Sequence, residues 1–482
     1  MNDVDAYIEN VIRQGDKGSS FLAQQAAPTL KNNPHIDIIQ DGVNGISVIR
    51  PQNYWVEVHS FSGNPKVSDL ERYSQSAVSK LVDTAFGNPV GFANVIDSRT
   101  GDIEMLARIM KGLVGAANTE RLAILNGENA ILGKVIPEEA NVSCTMVSLM
   151  DPKKGRELLD GNDLGMVTRN GINHAIFNPN SRAVYMNSDG VGTKTDCYAR
   201  NGTFQNALDD SAAMKGDDTA KIGARVKVFS DVVEYRGNVP LHKMEVHARE
   251  LSERLGIVHS SQFEDVEGRL WAYEDGAPAF NVSGSAVSVI DENRLRNPLV
   301  PKEGERVVAI RGPPNPRSNG ITARREIMEK VFGPMWHNVA EAAPYVDYLT
   351  RPSNIMFPLF DELIDNGLAT SVTHLSGGSY NGKLAKPLGR HGLYAELKGL
   401  FEPDPAEKFF IENSGSSVAD MYQKWPMGTD AFITTRDLRT ALEVIAKHGR
   451  EGKNVGMTQR RGDGRTGVEL TTYNGEKVSF SG

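Results

Sequence analysis

Residues 141–151 read NVSCTMVSLMD, and residues 281–291 read NVSGSAVSVID. Asn, Val, Ser, Val, Ser and Asp occupy the same places in the two segments, at a constant offset of 140 residues. Self-similarity at a fixed spacing is the sequence signature of a repeated architecture. The pair therefore predicts that the chain contains two copies of one folding unit.

The similarity continues upstream of this pair, in the same order in both copies. NYWVEVHSFSGNPK (53–66) resembles RAVYMNSDGVGTK (182–194), because each is a strand followed by a glycine turn and a lysine. Between these anchors, SAVSKLVDTAFGNPVGF (76–92) aligns with SAAMKGDDTAKIGARVKVF (211–229) with one short gap. These matches indicate a tandem duplication of a unit of about 140 residues.

Downstream, GNDLGMVTRNG (161–171) resembles GERVVAIRGPP (304–314), as a glycine turn that leads into an apolar strand. Helical and strand-like segments alternate throughout the chain, which favours mixed α/β or α+β layers. The last region has no second copy. We therefore predict three domains, which are a first N-terminal unit (1–160), a second N-terminal unit (161–303) and a single C-terminal domain (304–482).

Composition and charge exclude several classes of protein. The 482 residues are 39% hydrophobic and 24% charged, which is the balance of a globular protein. The 53 Lys and Arg against 61 Asp and Glu argue against a nucleic-acid partner held by a wholly basic surface. No stretch approaches the about 20 apolar residues of a membrane helix. With only two cysteines, Cys144 and Cys197, we expect a cytoplasmic protein without a disulfide scaffold.

The segment NSDGVGTKTD (187–196) is the strongest local motif. Glycines let backbone N–H groups approach phosphate oxygens without a Cβ in the way, and a following lysine adds a positive charge. A turn without any ligand is the commoner role of such a sequence. If the turn is functional, the residues predicted to bind phosphate are Asp189, Gly190, Gly192, Thr193 and Lys194.

Two acidic pairs follow in ALDDSAAMKGDDTAKIGA: Asp209 and Asp210, then Asp217 and Asp218. The pairs lie about two helical turns apart, so one member of each can share a helix face. Mg²⁺ prefers oxygen ligands, and ATP phosphates normally complete its coordination. A solvated acidic helix face is the alternative. The position of the pairs after the glycine turn favours a site for Mg²⁺ and a nucleotide.

The first copy lacks most of these acids, since its turn reads SFSGNPK and only Asp83 remains downstream. It does carry LAILNGENAILG (122–133), in which an apolar strand is expected to end in a loop formed by Asn126-Gly127-Glu128-Asn129. The second copy has HSSQFEDVEG near the equivalent place. The copies therefore look complementary, each retaining what the other has lost.

The last region contains an amphipathic helix, ITARREIMEKVF (321–332), ended by a Gly-Pro pair. Just before it, Ser318, Asn319 and Gly320 form either a helix cap or an anion site. SVTHLSGGSYNGK predicts a strand that leads to His374, which has either a structural or a proton-transfer role.

These pieces, in this order, resemble the aminoimidazole ribonucleotide synthetase superfamily, and within it the phosphoribosylformylglycinamidine cyclo-ligases. The family motifs are a D-G-V/A-G-T-K turn, an N-D pair, a G-G-E-T loop, an S-N-G helix start, H-x-T/S-G-G and F-N-M-G. The matching residues here are Asp189–Lys194, Asp217-Asp218, Gly127–Asn129, Ser318–Gly320, His374–Gly378 and Pro426–Gly428. The family's Thr after Glu is Asn129 here, and its third Gly after His is Ser379.

The resemblance implies a PurM-like α+β fold, with ferredoxin-like N-terminal units paired around a central β-barrel and a C-terminal α/β domain. Family members pair these units between two subunits; the duplication predicts the pairing within one chain, as a monomer or a homodimer. Glu128 of the first unit would then complete an ATP site with residues of the second. The implied Mg²⁺ ligands are Asp189, Asp210, Asp217 and Asp218.

The implied reaction is ATP-dependent ring closure of a small nucleotide substrate. The amide oxygen of formylglycinamidine ribonucleotide attacks the γ-phosphate, and a nitrogen of the same molecule then displaces phosphate. The implied catalytic residues are Lys194, His374 and Asp218, and the implied substrate-phosphate site is Ser318-Asn319-Gly320. The alternatives are another ATP-using member, such as a formylglycinamide ribonucleotide amidotransferase, and a non-catalytic nucleotide-binding regulator.

Overall fold

A computed structural model describes residues 17–39, 46–64 and 66–482. The described chain divides into two compact units. The N-terminal unit contains the residues up to 215 together with 224–297, and the C-terminal unit contains 216–223 together with 298–482. Residues 1–16, with which the first predicted domain begins, lie outside the described part. Within the described ranges, no helix combines the length and the apolar character that a membrane crossing requires.

The N-terminal unit contains two six-stranded sheets. Its strands are β1 (Ile36–Ile39), β2 (Ile46–Ile49), β3 (Trp55–Ser62), β4 (Asn88–Ser98), β5 (Ala123–Ile131), β6 (Ala140–Met150), β7 (Leu164–Arg169), β8 (Ile172–Phe177), β9 (Ala183–Gly190), β10 (Arg225–Arg236), β11 (Val258–Asp265) and β12 (Ala279–Ile290). Its α-helices are Leu70–Thr84, Ile103–Glu120, Pro152–Leu158, Lys194–Asn201, the first part of Asn206–Ala220, Leu241–Leu255 and Glu292–Arg296.

Both copies fold with one topology, as the repeat predicted. The first copy gives the strand order β5-β4-β6-β3, and the second gives β11-β10-β12-β9. Helices follow the first and the second strand of each copy, so the connectivity is strand–helix–strand–helix–strand–strand. This differs from the β-α-β-β-α-β connectivity of the ferredoxin-like units that the resemblance implied.

The two copies exchange their leading hairpins. The hairpin β1–β2 precedes the first copy in sequence but pairs with β9 of the second copy. The hairpin β7–β8 precedes the second copy but pairs with β3 of the first copy. The predicted boundary at residue 160 therefore assigns β7 and β8 to the wrong sheet. The likeness of 161–171 to 304–314 is not part of the repeat, because residues 161–171 belong to this exchanged hairpin.

The two sheets share a barrel-like interior. One apolar cluster takes Val56, Val58 and Val147 from the first sheet and Val228 and Val287 from the second. In the described part of the chain no strand pairing joins the sheets, so side chains close this interior. Two helices cover the outer face of the first sheet, Leu70–Thr84 and Ile103–Glu120, and their apolar sides form a second core with β4 and β6.

The C-terminal unit is built on a seven-stranded sheet with the order β14-β16-β13-β17-β15-β18-β19. Its strands are β13 (Arg306–Arg311), β14 (Ser371–His374), β15 (Tyr394–Leu397), β16 (Ala431–Thr435), β17 (Glu451–Gln459), β18 (Gly467–Thr471) and β19 (Lys477–Ser481). Its α-helices are Ile321–Phe332, Ala343–Leu349, Phe357–Asp365, Lys386–Arg390, Pro405–Asn413, Val418–Lys424 and Leu438–Lys447. The helix predicted over 321–332 is confirmed, as is the strand that ends at His374.

One local prediction was wrong. Asn126–Asn129 were expected to form a loop, but they lie inside β5, which continues to Ile131. Parallel pairing with β4 extends the strand, because Gly127 lies opposite Asn94 and Glu128 opposite Val95 in the register. The tertiary pairing therefore overrides the turn preference of the Asn-Gly pair.

Candidate functional site

The glycine turn of the second copy begins where β9 ends, at Gly190. The Val191 N–H donates to the Val282 carbonyl over 2.9 Å, which holds the turn against β12. Gly192 has a φ of +71°, a left-handed conformation that a side chain disfavours. Lys194 then opens the helix Lys194–Asn201. The sequence Asp189–Lys194 is thus a strand–turn–helix junction, the type of structure that the motif predicted.

Lys194 is fully buried and pairs with Asp210 in the same unit. Its Nζ lies 3.0 Å from Asp210 Oδ2, and the Tyr198 hydroxyl donates to the same carboxylate. Burial, and then the charge of Asp210, raise the pKa of Tyr198 well above its ordinary value, so this phenol remains a donor. Asp210 is therefore occupied by an ammonium group and a hydroxyl group. Its predicted role as a metal ligand remains a prediction.

Asp97, near the end of β4 in the first copy, lies close to the glycine turn of the second copy. A Cβ placed on Gly190 would lie 3.4 Å from Asp97 Oδ1, so the turn approaches this carboxyl closely. Asn126 Oδ1 of the first copy also accepts the Ser188 N–H over 3.1 Å. Burial, the charge of Glu234 and, to a smaller extent, the charge of Asp189 raise the pKa of Asp97 to about 7. Residues of both copies therefore surround this glycine turn.

The first copy has its own groove, with a volume of about 800 Å³. Its lining includes Gly63, Arg72, Lys80 and Asp83 of the first copy and Glu264 of the second. Lys80 Nζ lies 3.0 Å from Glu264 Oε1. The groove contains the turn of the first copy that is equivalent to Asp189–Lys194. In each copy, the glycine turn is therefore bordered by residues of the other copy.

The C-terminal unit holds a second cluster of charged groups, around His374 at the end of β14. Asp217 and Asp218 belong to this unit, whereas Asp209 and Asp210 belong to the N-terminal unit. His374 Nε2 lies 2.8 Å from Asp218 Oδ1, and His374 Nδ1 lies 2.8 Å from Arg317 Nη2. The structure therefore brings together the predicted residues Asp218 and His374, which are 156 positions apart in the printed sequence.

Asp217 is a buried structural anchor within this cluster. Its Oδ1 accepts the N–H groups of Met356 and Phe357, each over 2.8 Å, at the start of the helix Phe357–Asp365. Its Oδ2 accepts from Arg317 Nη2 over 2.9 Å and lies 3.3 Å from His374 Nδ1. Because both oxygens already have donors, the arrangement gives no independent support to the predicted metal role of Asp217.

Asp218 faces two lysines that the sequence motifs did not single out. Its carboxylate forms an ion pair with Lys221 and lies 3.8 Å from Lys383 Nζ. Burial would raise the pKa of Asp218, but Lys221, Lys383 and His374 together hold it well below its ordinary value. Burial in turn lowers the pKa of Lys221. Asp218 is therefore ionised, within reach of a histidine and of two basic groups.

Arg317 was also missed by the sequence reading. Its side chain is 2% exposed, and its backbone φ is +54°. A left-handed conformation costs a residue with a side chain about 1–2 kcal/mol, and such strain concentrates at functional sites. Arg317 directly precedes the Ser318-Asn319-Gly320 motif. The position next to this motif is the sequence signal from which a functional role of Arg317 could have been predicted.

The Ser318-Asn319-Gly320 segment is packed tightly. Asn319 Nδ2 donates to the carbonyls of Ser376 and Lys424, over 3.0 and 2.7 Å. Gly320 has a φ of +64°, and a Cβ there would lie 2.2 Å from Trp425 Nε1. These contacts give Asn319 and Gly320 a bracing role, and the predicted binding of a substrate phosphate remains a prediction.

Comparison with curated proteins finds phosphoribosylformylglycinamidine cyclo-ligases as distant relatives in sequence. The chain is 23% identical over 283 residues to a phosphoribosylformylglycinamidine cyclo-ligase of Clostridium perfringens, covering 58% of this chain and 81% of the relative. It is 23% identical over 264 residues to the cyclo-ligase of Thermococcus kodakarensis, covering 54% and 75%. The chain is thus similar in sequence, at low identity, to members of the aminoimidazole ribonucleotide synthetase superfamily. No family model matches the sequence.

Two solved structures resemble the chain distantly. Thiamine-monophosphate kinase from Stenotrophomonas maltophilia has a TM-score of 0.43 at 11% identity, covering 66% of this chain and 94% of that one. Phosphoribosylformylglycinamidine synthase II from Thermotoga maritima has a TM-score of 0.38 at 13% identity, covering 66% and 45%. The chain therefore spans about half the length of that synthase.

Proposed function

We propose that this protein is an ATP-dependent cyclo-ligase that converts formylglycinamidine ribonucleotide to aminoimidazole ribonucleotide. The observation that carries the proposal is the buried His374, which lies between the ionised Asp218 and the guanidinium of Arg317. Ring closure requires removal of a proton from the attacking nitrogen, and a histidine beside a carboxylate is suited to accept one. The sequence similarity to cyclo-ligases also supports the proposal.

ATP is assigned to the glycine turn of the N-terminal unit. The N–H groups around Gly190 and Gly192 and the start of the helix Lys194–Asn201 supply donors for phosphate oxygens. Lys194 neutralises Asp210 beneath the turn, which keeps the helix start from carrying a net negative charge. Glu128 of the first copy stays assigned to this site, on the strand that neighbours β4.

The residues at this turn also fit a Mg²⁺ ion. Asp97 Oδ1 is buried and lacks a hydrogen-bond partner among the described residues, and it lies against Gly190 beside Asp189. Mg²⁺ takes carboxylate oxygens together with phosphate oxygens, so Asp97 and Asp189 would hold it. When bound, the ion would supply neutralisation of the phosphate charge during phosphoryl transfer.

In the proposed reaction, the amide oxygen of the substrate attacks the γ-phosphate of ATP and forms an iminophosphate. A nitrogen of the same molecule then closes the ring and displaces phosphate. Within the C-terminal unit, His374 takes at Nδ1 the proton that this nitrogen loses, so that Nδ1 gives up the hydrogen bond from Arg317, and Asp218 beside Nε2 stabilises the imidazolium formed. Lys221 and Lys383 balance the charge of Asp218.

The tandem arrangement favours one second candidate. Two N-terminal copies in a single chain are also typical of formylglycinamide ribonucleotide amidotransferases, which phosphorylate a related amide before ammonia attacks it. Both candidates use the same ATP chemistry and differ in the nitrogen nucleophile. An intramolecular nitrogen closes a ring, whereas ammonia gives an open amidine.

The test is phosphate release from ATP and Mg²⁺ with each of two substrates. Formylglycinamidine ribonucleotide is supplied alone, and formylglycinamide ribonucleotide is supplied with ammonium. We expect release with the first substrate only, together with the imidazole product. His374→Asn should lower kcat by about 10²–10⁴-fold, the usual contribution of a positioned base. The exposed Asp275→Asn is the control variant.

Release only with formylglycinamide ribonucleotide and ammonium would replace the cyclo-ligase assignment by the amidotransferase assignment. Nucleotide binding with no turnover of either substrate would contradict both. A cyclo-ligase activity that is unchanged in His374→Asn would retain the reaction but remove His374 from the mechanism.

A further inference from the structure

Two histidines and a glutamate meet inside the first sheet, away from both clusters described above. Glu57 and His59 lie on β3, and His174 lies on the exchanged strand β8. All three side chains are at most 1% exposed. One ligand atom from each residue lies within 4.8 Å of the other two. Imidazole nitrogen and carboxylate oxygen are the donor types of three-ligand zinc sites.

Glu57 is fixed in its position by four hydrogen bonds. Its Oε1 accepts from Phe86 N over 2.9 Å and lies 2.8 Å from His174 Nδ1. Its Oε2 accepts from Phe86 N over 3.0 Å and from Gly87 N over 2.7 Å. Burial would raise the pKa of Glu57, but His174, His59 and these N–H groups hold it below its ordinary value. The carboxylate is therefore an ionised, oriented oxygen donor.

His59 presents a bare nitrogen to this carboxylate. Its Nε2 lies 2.9 Å from the Leu81 carbonyl and therefore carries the proton. Its Nδ1 is buried, has no hydrogen-bond partner in the described chain and lies 3.9 Å from Glu57 Oε1. Burial lowers the pKa of His59 to about 4, so the ring is neutral near pH 7. A ring N–H donated to a backbone carbonyl, with the other nitrogen bare, is the arrangement found in metal-ligating histidines.

The second copy lacks this set of residues. The residues that correspond to Glu57 and His59 in β9 are Tyr185 and Asn187, and Ile46 of the other exchanged hairpin corresponds to His174. The shared topology therefore folds without buried imidazoles at this place. The burial of three polar groups in one copy, with an orphaned nitrogen among them, is not a requirement of the fold.

We propose that Glu57, His59 and His174 bind a divalent transition-metal ion of the Zn²⁺ type. Two ligands that each lie about 2.1 Å from a tetrahedral ion are about 3.4 Å apart, and the two measured separations from Glu57 Oε1 fall on either side of this value. The proton between His174 Nδ1 and Glu57 leaves to solvent when the ion binds. The ion joins β3 of the first copy to the exchanged hairpin, so its role is to stabilise the exchange.

The experiment uses the full-length chain, stripped with a chelator and titrated with Co²⁺ as a spectroscopic probe. We expect one Co²⁺ per chain, a ligand-field absorption band, displacement by Zn²⁺, and a higher unfolding midpoint in the presence of either metal. His59→Gln should weaken binding by more than about 100-fold, which exceeds the loss of an outer hydrogen-bond partner. His242→Gln, at an exposed helix position, is the matched control and should bind as the parent does.

Absence of the band in the parent chain, or its persistence at full strength in His59→Gln, would overturn the proposal. If the variant does not fold, X-ray absorption at the metal edge of the loaded parent decides the question. Detection of two imidazole ligands on the metal would support the proposed site, and detection of one or none would overturn the proposal. ATP turnover does not enter either readout, so the result is independent of the proposed reaction.

Discussion

Ser143 Oγ and Ser283 Oγ lie 2.7 Å apart and form a hydrogen bond, although 140 residues separate them. They occupy the same position in the two copies of the repeat, on β6 and β12. A contact between equivalent residues places them next to the pseudo-twofold axis of the duplicated unit. The covalent duplication therefore reproduces the self-complementary contact of a symmetric dimer inside one chain.

Replacing Lys194 with Met is expected to destabilise the protein by about 3–5 kcal/mol, because Asp210 is left as an unpaired buried charge. Urea unfolding of the purified variant measures the loss. The double variant Lys194→Met with Asp210→Asn should recover most of the stability, since it removes both charges. Equal destabilisation in the single and double variants would contradict the ion pair as the cause.

Gly320→Ala is expected to cost at least about 2 kcal/mol, since left-handed backbone strain and overpacking both contribute. The added methyl group would collide with the Trp425 indole. Gly367→Ala is the control, because Gly367 has a φ of +66° with no atom within 4 Å of the new Cβ. Thermal unfolding should show the larger loss for Gly320→Ala, and equal losses would exclude the indole contact as a cause.

The free energy of unfolding is expected to fall as the pH rises from about 4 to about 7, because the buried carboxyls of Asp97 and Glu234 lose their protons over this range in the unfolded state but keep them in the folded state. Burial raises the pKa of each to about 7, from ordinary values of 3.8 and 4.5. Between those values the folded state holds more protons than the unfolded state, so each carboxyl contributes a slope of about −1.4 kcal/mol per pH unit.

Asp97→Asn should therefore flatten the decline in unfolding free energy between about pH 4 and about pH 7. Denaturant titrations at several pH values, with the exposed Asp275→Asn as a control, measure the effect. A slope that is the same in parent and Asp97→Asn would show that Asp97 titrates at its ordinary value.

A fragment of residues 150–482 is not expected to fold as the parent does. It retains β8 without β3, whose Val56 and Val58 pair with Phe177 and Ala175. It also lacks the hairpin β1–β2 that extends the sheet of the second copy. Circular dichroism and cooperative unfolding measure this directly. A soluble, monomeric fragment with a single sharp transition would contradict the exchanged-hairpin architecture.

Sequence alone indicated the duplication and a few local elements of the C-terminal unit. The helix Ile321–Phe332 follows from an apolar period of 3.6 residues and a closing glycine, and both signals lie within the helix itself. The Asp189–Lys194 turn is likewise a continuous stretch of chain. Such features depend on neighbouring residues, so a single sequence is sufficient to predict them.

The remaining features depend on pairing between distant strands, which local patterns do not encode. Nothing in the spacing indicated that β7–β8 would pair with β3, and so the contact of His174 with Glu57 was not predictable. The same holds for Asp97 beside Gly190 and for Arg317 beside His374. The amino-acid sequence by itself determined the repeated units and their motifs; only the tertiary structure decided which copy completes which site, because sheet pairing brings together residues that are far apart in the chain.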